Sequence, residues 1–132
     1  MNIEHEDEIV RAAFGQWVSG LFAAVCGWNP NSTFQEQKEA FFMLLEKMLK
    51  NGKVMFIVPG TDCYVSPENS WPKLSIEDPE ARWRAPISEI MDFVRNKWPR
   101  EVNDMNDLEL TYYFYDLPGL IWVGEDGKLV AS

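Results

Sequence analysis

Leu108-Glu109-Leu110-Thr111-Tyr112-Tyr113-Phe114-Tyr115, continued by Asp116-Leu117-Pro118-Gly119 and Leu120-Ile121-Trp122-Val123, is the stretch on which the fold reading turns. Leu108, Leu110, Tyr112 and Phe114 alternate with Glu109, Thr111, Tyr113 and Tyr115, and a period of two is that of a strand with one buried face. The spacing therefore predicts a strand over 108–115, with Tyr112 and Phe114 inward and Glu109, Tyr113 and Tyr115 outward. Asp116–Gly119 reads as a turn and Leu120–Val123 as a second strand. Gly124-Glu125-Asp126-Gly127 is a tight turn into a third strand, Lys128–Val130. Together they predict a small antiparallel sheet.

Upstream, the pattern is helical. Val10, Phe14, Trp17, Leu21 and Val25 recur at spacings of three and four, predicting one helix from about Glu6 to Cys26 with Glu6, Asp7 and Glu8 in its first turn. Gly27 and Asn29-Pro30 end it. In the next helix Ser32 with Gln35, or Thr33 with Glu36, fits a capping box, Phe34, Phe41, Leu45 and Met48 line one face, and Asn51-Gly52 stops it. The short Asn-Pro-Asn link makes these two an antiparallel helical hairpin. Lys53–Val58 reads as a strand with Cys63–Val65 as its hairpin return. Residues 66–84 read as a long loop pinned by Trp71 and Trp83. Pro86 opens a third helix, faced by Ile87, Ile90, Met91, Val94 and Trp98 and closed by Pro99. The expected fold class is α+β: a helical hairpin and a third helix packed on a small antiparallel sheet, in a single domain spanning 1–132.

Composition bounds the function. The formal net charge of −9 argues against nucleic acid and against anionic membrane surfaces, both of which attract lysine and arginine. Between Glu101 and Asp126 seven carboxylates (Glu101, Asp104, Asp107, Glu109, Asp116, Glu125, Asp126) occur without one lysine or arginine, interleaved with tyrosines and Trp122. Such a surface suits capture of a basic protein, because carboxylates steer a cation while aromatics supply rigid contact area. The plainer reading is a solvated face around ordinary core aromatics. No basic leader opens the chain, and Phe14–Trp28 is too short and too interrupted to span a bilayer, so a cytoplasmic location is expected.

The catalytic templates do not fit. Val18-Ser19-Gly20 lies in a helix rather than at a strand-turn-helix elbow. The single histidine, His5, sits in an acidic N-terminal run, so neither a Cys-His pair with Cys26 or Cys63 nor a zinc ligand set follows by spacing. No phosphate-cradling glycine pattern is present. Asp104-x-Asn106-Asp107-x-Glu109 lacks the glycine and distal glutamate of a calcium loop and reads as a solvated acidic loop. Arg82, Arg84, Arg95, Lys97 and Arg100 read as partners for acids such as Glu89 and Asp92. No catalytic residue, metal or cofactor is assigned.

Two runs carry a resemblance. STFQEQKEAFFMLLEKMLKNGKV, residues 32–54, resembles the helix-then-strand opening of a family of small acidic bacterial immunity proteins found beside polymorphic toxin genes. DLPGLIWVGEDG, residues 116–127, resembles that family's closing Pro-Gly turn and Trp-Val strand. The two cover about a quarter of the chain, and residues 61–105 depart from the pattern. The resemblance implies an immunity protein of a contact-dependent growth inhibition system, which binds and neutralises a basic toxin domain, commonly a nuclease, in the cytosol.

Under this reading the partner-binding residues are Asp104, Asp107, Glu109, Tyr113, Tyr115, Glu125, Asp126 and Trp71, in a monomer or weak homodimer. Two alternatives stand beside it. One is a small ligand-binding protein or enzyme using an acidic aromatic pocket, which requires a carboxylate in a concave site. The other is an oligomeric scaffold that self-associates through exposed aromatics.

Overall fold

The computed structural model describes residues 5–61, 63, 66–68 and 70–131. Helices α1 (Glu6–Ala13), α2 (Val18–Trp28) and α3 (Phe34–Lys50) come first, then strand β1 (Val54–Phe56) and a 3-10 turn at Pro79–Ala81. Helices α4 (Ile87–Asn96) and α5 (Leu108–Asp116) follow, and strands β2 (Leu120–Val123) and β3 (Leu129–Val130) close the chain. Among the described residues this makes an α+β fold of five α-helices and one three-stranded antiparallel sheet.

Helix α3 begins where local chemistry requires it to. The Thr33 hydroxyl accepts from the Glu36 backbone N–H at 3.1 Å, and the Glu36 carboxylate accepts from the Thr33 N–H at 2.9 Å. Two amides that would otherwise lack partners are thereby satisfied, so of the two candidate capping boxes it is Thr33 with Glu36 that forms. Phe41, Leu44, Leu45 and Met48 turn into the core.

The single helix expected over 6–26 is two helices. The chain breaks at Phe14–Trp17, where Gly15 adopts φ +79° and Trp17 is the extended N-cap of α2. Only a residue without a Cβ takes that φ without strain. The break is useful to the core, since it presents one carbonyl and one indole to distant partners. Trp122 Nε1 donates to the Gln16 carbonyl at 2.9 Å, and Trp17 Nε1 donates to the Phe114 carbonyl at 2.8 Å. A continuous helix would have consumed the Gln16 carbonyl internally. Glu6 and Lys47, 2.7 Å apart, then tie α1 to α3.

The sheet runs β1-β2-β3, with Val54 opposite Trp122, Phe56 opposite Leu120, and Val123 opposite Leu129. Strands β2 and β3 and the tight turn between them stand where the sequence reading placed them, with β3 one residue shorter. The return partner of β1 does not. Tyr64 and Val65 of the expected hairpin lie outside the described residues. On its other side β1 meets the chain near Arg82: Val58 N–H donates to Ala81 O and Trp83 N–H to Phe56 O, both at 2.8 Å. Of the two tryptophans expected to pin residues 66–84, Trp83 does so, packed on Phe56 and Phe93. Trp71 does not, being 92 % exposed.

The larger correction is at 108–116, which is a helix. The Asp107 carboxylate accepts from the Glu109 N–H at 2.9 Å and caps α5. Leu110, Tyr113, Phe114 and Leu117 are buried. Those positions stand at i, i+3, i+4 and i+7, the stripe of an amphipathic helix. They close onto an aromatic cluster centred on Trp98, whose ring lies 5.0 Å from Tyr113, 5.4 Å from Phe42 and 5.6 Å from Phe22. Edge-on geometries dominate there, as ring quadrupoles favour. Burial of this aromatic stripe outweighs the strand preference of tyrosine and phenylalanine.

Candidate functional site

Because α5 is a helix, the inside and outside of the acidic segment are reassigned. Tyr113, expected as a surface anchor, is buried, and its hydroxyl donates to the Val94 carbonyl at 2.8 Å. It is core, and it leaves the candidate interface. Tyr112, expected inside, is half exposed, while Tyr115 is 83 % exposed as expected. Met105 and Leu108 join them as exposed apolar side chains.

Asp104, Asp107, Glu109 and Tyr115 thus belong to one run, from the loop before α5 through its outer face. Asp104 holds that loop by accepting from the Asn106 N–H at 2.8 Å, and Asp107 caps the helix. Glu109 and Asp116 are exposed on α5 itself. Glu125 and Asp126 sit elsewhere in the fold, exposed in the β2–β3 turn, where the Asp126 carboxylate accepts from the Lys128 N–H at 3.0 Å. Glu125 borders a depression of about 510 Å³ that also contains Arg11, Phe14, Lys53 and Trp122. Trp71 stands on the segment between β1 and α4. The eight residues named from sequence therefore do not form one patch; Asp104, Asp107, Glu109 and Tyr115 share one stretch of chain.

Beside that stretch, between α2 and the 105–115 segment, runs a groove of about 800 Å³. Trp17, Phe22, Ala23, Leu110 and Phe114 line it, with Met105 and Tyr115 at the α5 side and Ser19, Gly20 and Thr111 completing it. Its lining among the described residues includes no carboxylate and no imidazole. The acids Asp104, Asp107, Glu109 and Asp116 are chain neighbours of its walls. An apolar trough with acids on the adjoining chain can bury side chains and attract cations.

The sequence reading missed Tyr112, Leu108, Met105 and the α2 wall. The signal for the first two was available: with Leu110, Tyr113, Phe114 and Leu117 inward, 100° steps place 108, 112 and 115 outward. The α2 wall carried no such signal, because Ser19, Gly20 and Ala23 are small residues whose exposure depends on what packs beside them.

The basic residues do not pair as expected either. Arg95 meets Glu39 of α3 at 3.4 Å and lies over the Phe42 ring, and Lys97 lies over Phe93. Lys38, Arg95 and Arg100 border a polar hollow of about 350 Å³ above Trp98. Cys26 is buried, and burial pushes its thiol up to about 11, which keeps it protonated and unreactive at neutral pH. Among the described residues no cluster of three or more His, Cys, Asp or Glu is gathered to hold a metal ion, and no helix is long and apolar enough to cross a membrane.

No protein-family model matches the sequence, and neither the curated proteins nor the solved structures include a match.

Proposed function

We propose that this protein is an immunity protein: a non-enzymatic inhibitor that captures a basic toxin domain, of the kind deployed in contact-dependent growth inhibition, in the cytoplasm. The observation that supports the reading most is the outer face of α5. There Leu108, Tyr112 and Tyr115 are exposed, with Met105 exposed in the loop before the helix, on a run with four acids (Asp104, Asp107, Glu109, Asp116) and no base. Exposed aromatics provide desolvated anchors, and surrounding carboxylates provide steering and selection against acidic partners. A nuclease toxin must be cationic where it meets its substrate, so an inhibitor of net charge −9 complements it. The groove between α2 and the 105–115 segment adds support, since its described lining holds no carboxylate of the kind a small acid-base enzyme would use there.

The reading is tested by pull-down of purified basic bacterial toxin domains with this protein at physiological salt. Retention of a nuclease toxin, with loss of its activity in the complex, is the expected result. Failure to retain any basic toxin domain, beside a working control pair, would remove the proposal.

A further inference from the structure

Resting on the capture reading above, we infer that the groove between α2 and the 105–115 segment seats the apolar face of an amphipathic, lysine- or arginine-rich helix of the basic partner. The chemistry of the walls selects the occupant. The described lining comes from α2, α5, Trp17 and Met105, with no strand edge among it. Backbone amides and carbonyls of helices are spent internally, and the Phe114 carbonyl already accepts from Trp17. A peptide docking here gains no ladder of main-chain hydrogen bonds. An extended segment would bury its own backbone groups without partners, which is costly for each group left unsatisfied. A helix brings those groups already satisfied and buries only side chains.

Size and charge point the same way. At about 800 Å³ the groove lies within the range of sites that enclose several side chains. Ser19, Gly20 and Ala23 give α2 a low wall, so a second helix can approach closely. Gly20 is also required there, since a Cβ would overlap the Gln16 side chain. Tyr115 and Met105 stand at the opposite wall as contact area. With Asp104, Asp107, Glu109 and Asp116 flanking the α5 side and no lysine or arginine between Glu101 and Asp126, the polar flanks of the docked helix must be cationic.

The test uses two labelled synthetic peptides of roughly 18 residues, long enough to form a helix on docking. The first carries leucines at i, i+3, i+4 and i+7 and lysines elsewhere; the second has serine at every leucine. Fluorescence anisotropy at physiological salt should show the leucine peptide binding the wild type about tenfold or more tighter than the serine peptide. Ala23→Trp, which fills the groove without changing charge, should weaken the leucine peptide about tenfold. Tyr115→Ala, at the opposite wall and leaving the groove open, should weaken it as well. Glu109→Gln should weaken both peptides alike. Equal binding of the two peptides, no binding of either, or indifference to both Ala23→Trp and Tyr115→Ala would overturn the groove assignment. Those outcomes leave the capture reading intact if the wild type still retains a basic toxin domain, so the two failures are distinguishable.

Discussion

The Tyr113 hydroxyl donates to the Val94 carbonyl at 2.8 Å, joining α5 to α4 through a buried bond. One ring thereby serves two purposes. It completes the aromatic cluster around Trp98, and it fixes the rotation of α5 that leaves Tyr112 and Tyr115 outside. Tyr113→Phe keeps the ring and strands the Val94 carbonyl, so stability should fall by about 1–2 kcal/mol in urea unfolding. Partner binding should be unchanged. A variant that unfolds like the wild type would show that the hydroxyl contributes nothing.

The same hydroxyl sets an alkaline limit. Burial raises its pKa well above the ordinary tyrosine value, and the positive charge of Arg95 only partly opposes this. In the unfolded chain Tyr113 ionises near pH 10, while the folded protein keeps the proton. The folded state then binds more protons, so stability is intact below about pH 10 and falls as pH rises beyond it. Denaturation midpoints followed between neutral pH and pH 11 should decline in the wild type more steeply than in Tyr113→Phe.

Gly15 tests the break between α1 and α2. Its φ of +79° disfavours any side chain, and a Cβ would approach Val130 Cγ1 at 3.2 Å. Gly15→Ala should therefore cost about 1–2 kcal/mol. If the chain were continuous helix there, alanine would instead stabilise it, so the sign of the change decides.

How far the sequence disclosed this fold depended on whether local chemistry or long-range packing chose each element. The start of α3 is written in Thr33 and Glu36, and the β2–β3 hairpin in the Gly124–Gly127 turn between two short apolar runs, so both were legible. Helix α5 was not, because Leu108, Leu110, Tyr112 and Phe114 satisfy a strand period while Leu110, Tyr113, Phe114 and Leu117 satisfy a helical one. The second set wins because Trp98, Phe22 and Phe41 await it in the core. The α1–α2 break was masked in a similar way, by an apolar stripe that runs through Gly15 without interruption. Of the candidate site, the acids Asp104, Asp107 and Glu109 were legible from composition, whereas the outward position of Tyr115 was reached through a strand alternation that the helix replaces. The groove was not legible, since its α2 wall exists only once α2 and α5 are side by side.

Trp98 is the hub on which the face depends. It contacts Phe22, Phe34, Phe41, Phe42, Tyr113 and Phe114. Trp98→Ala should cost about 3–5 kcal/mol. Tyr112→Ala and Tyr115→Ala, on the exposed side of α5, should each change stability by less than about 0.5 kcal/mol. Thermal melts of the three variants side by side separate the core from the face.

The central claim is that the α5 face captures a cationic protein. It is tested most directly by the association rate with a basic toxin domain retained in the pull-down, measured over a range of salt by stopped flow. The variant for comparison is Asp104→Asn, Asp107→Asn and Glu109→Gln together, since asparagine preserves the cap at position 107 that alanine would remove. Wild-type association should be fast at low salt and fall steeply as salt rises, whereas the triple variant should associate about tenfold more slowly at low salt with a flatter dependence. An unchanged rate and an unchanged salt dependence in the triple variant would contradict the account.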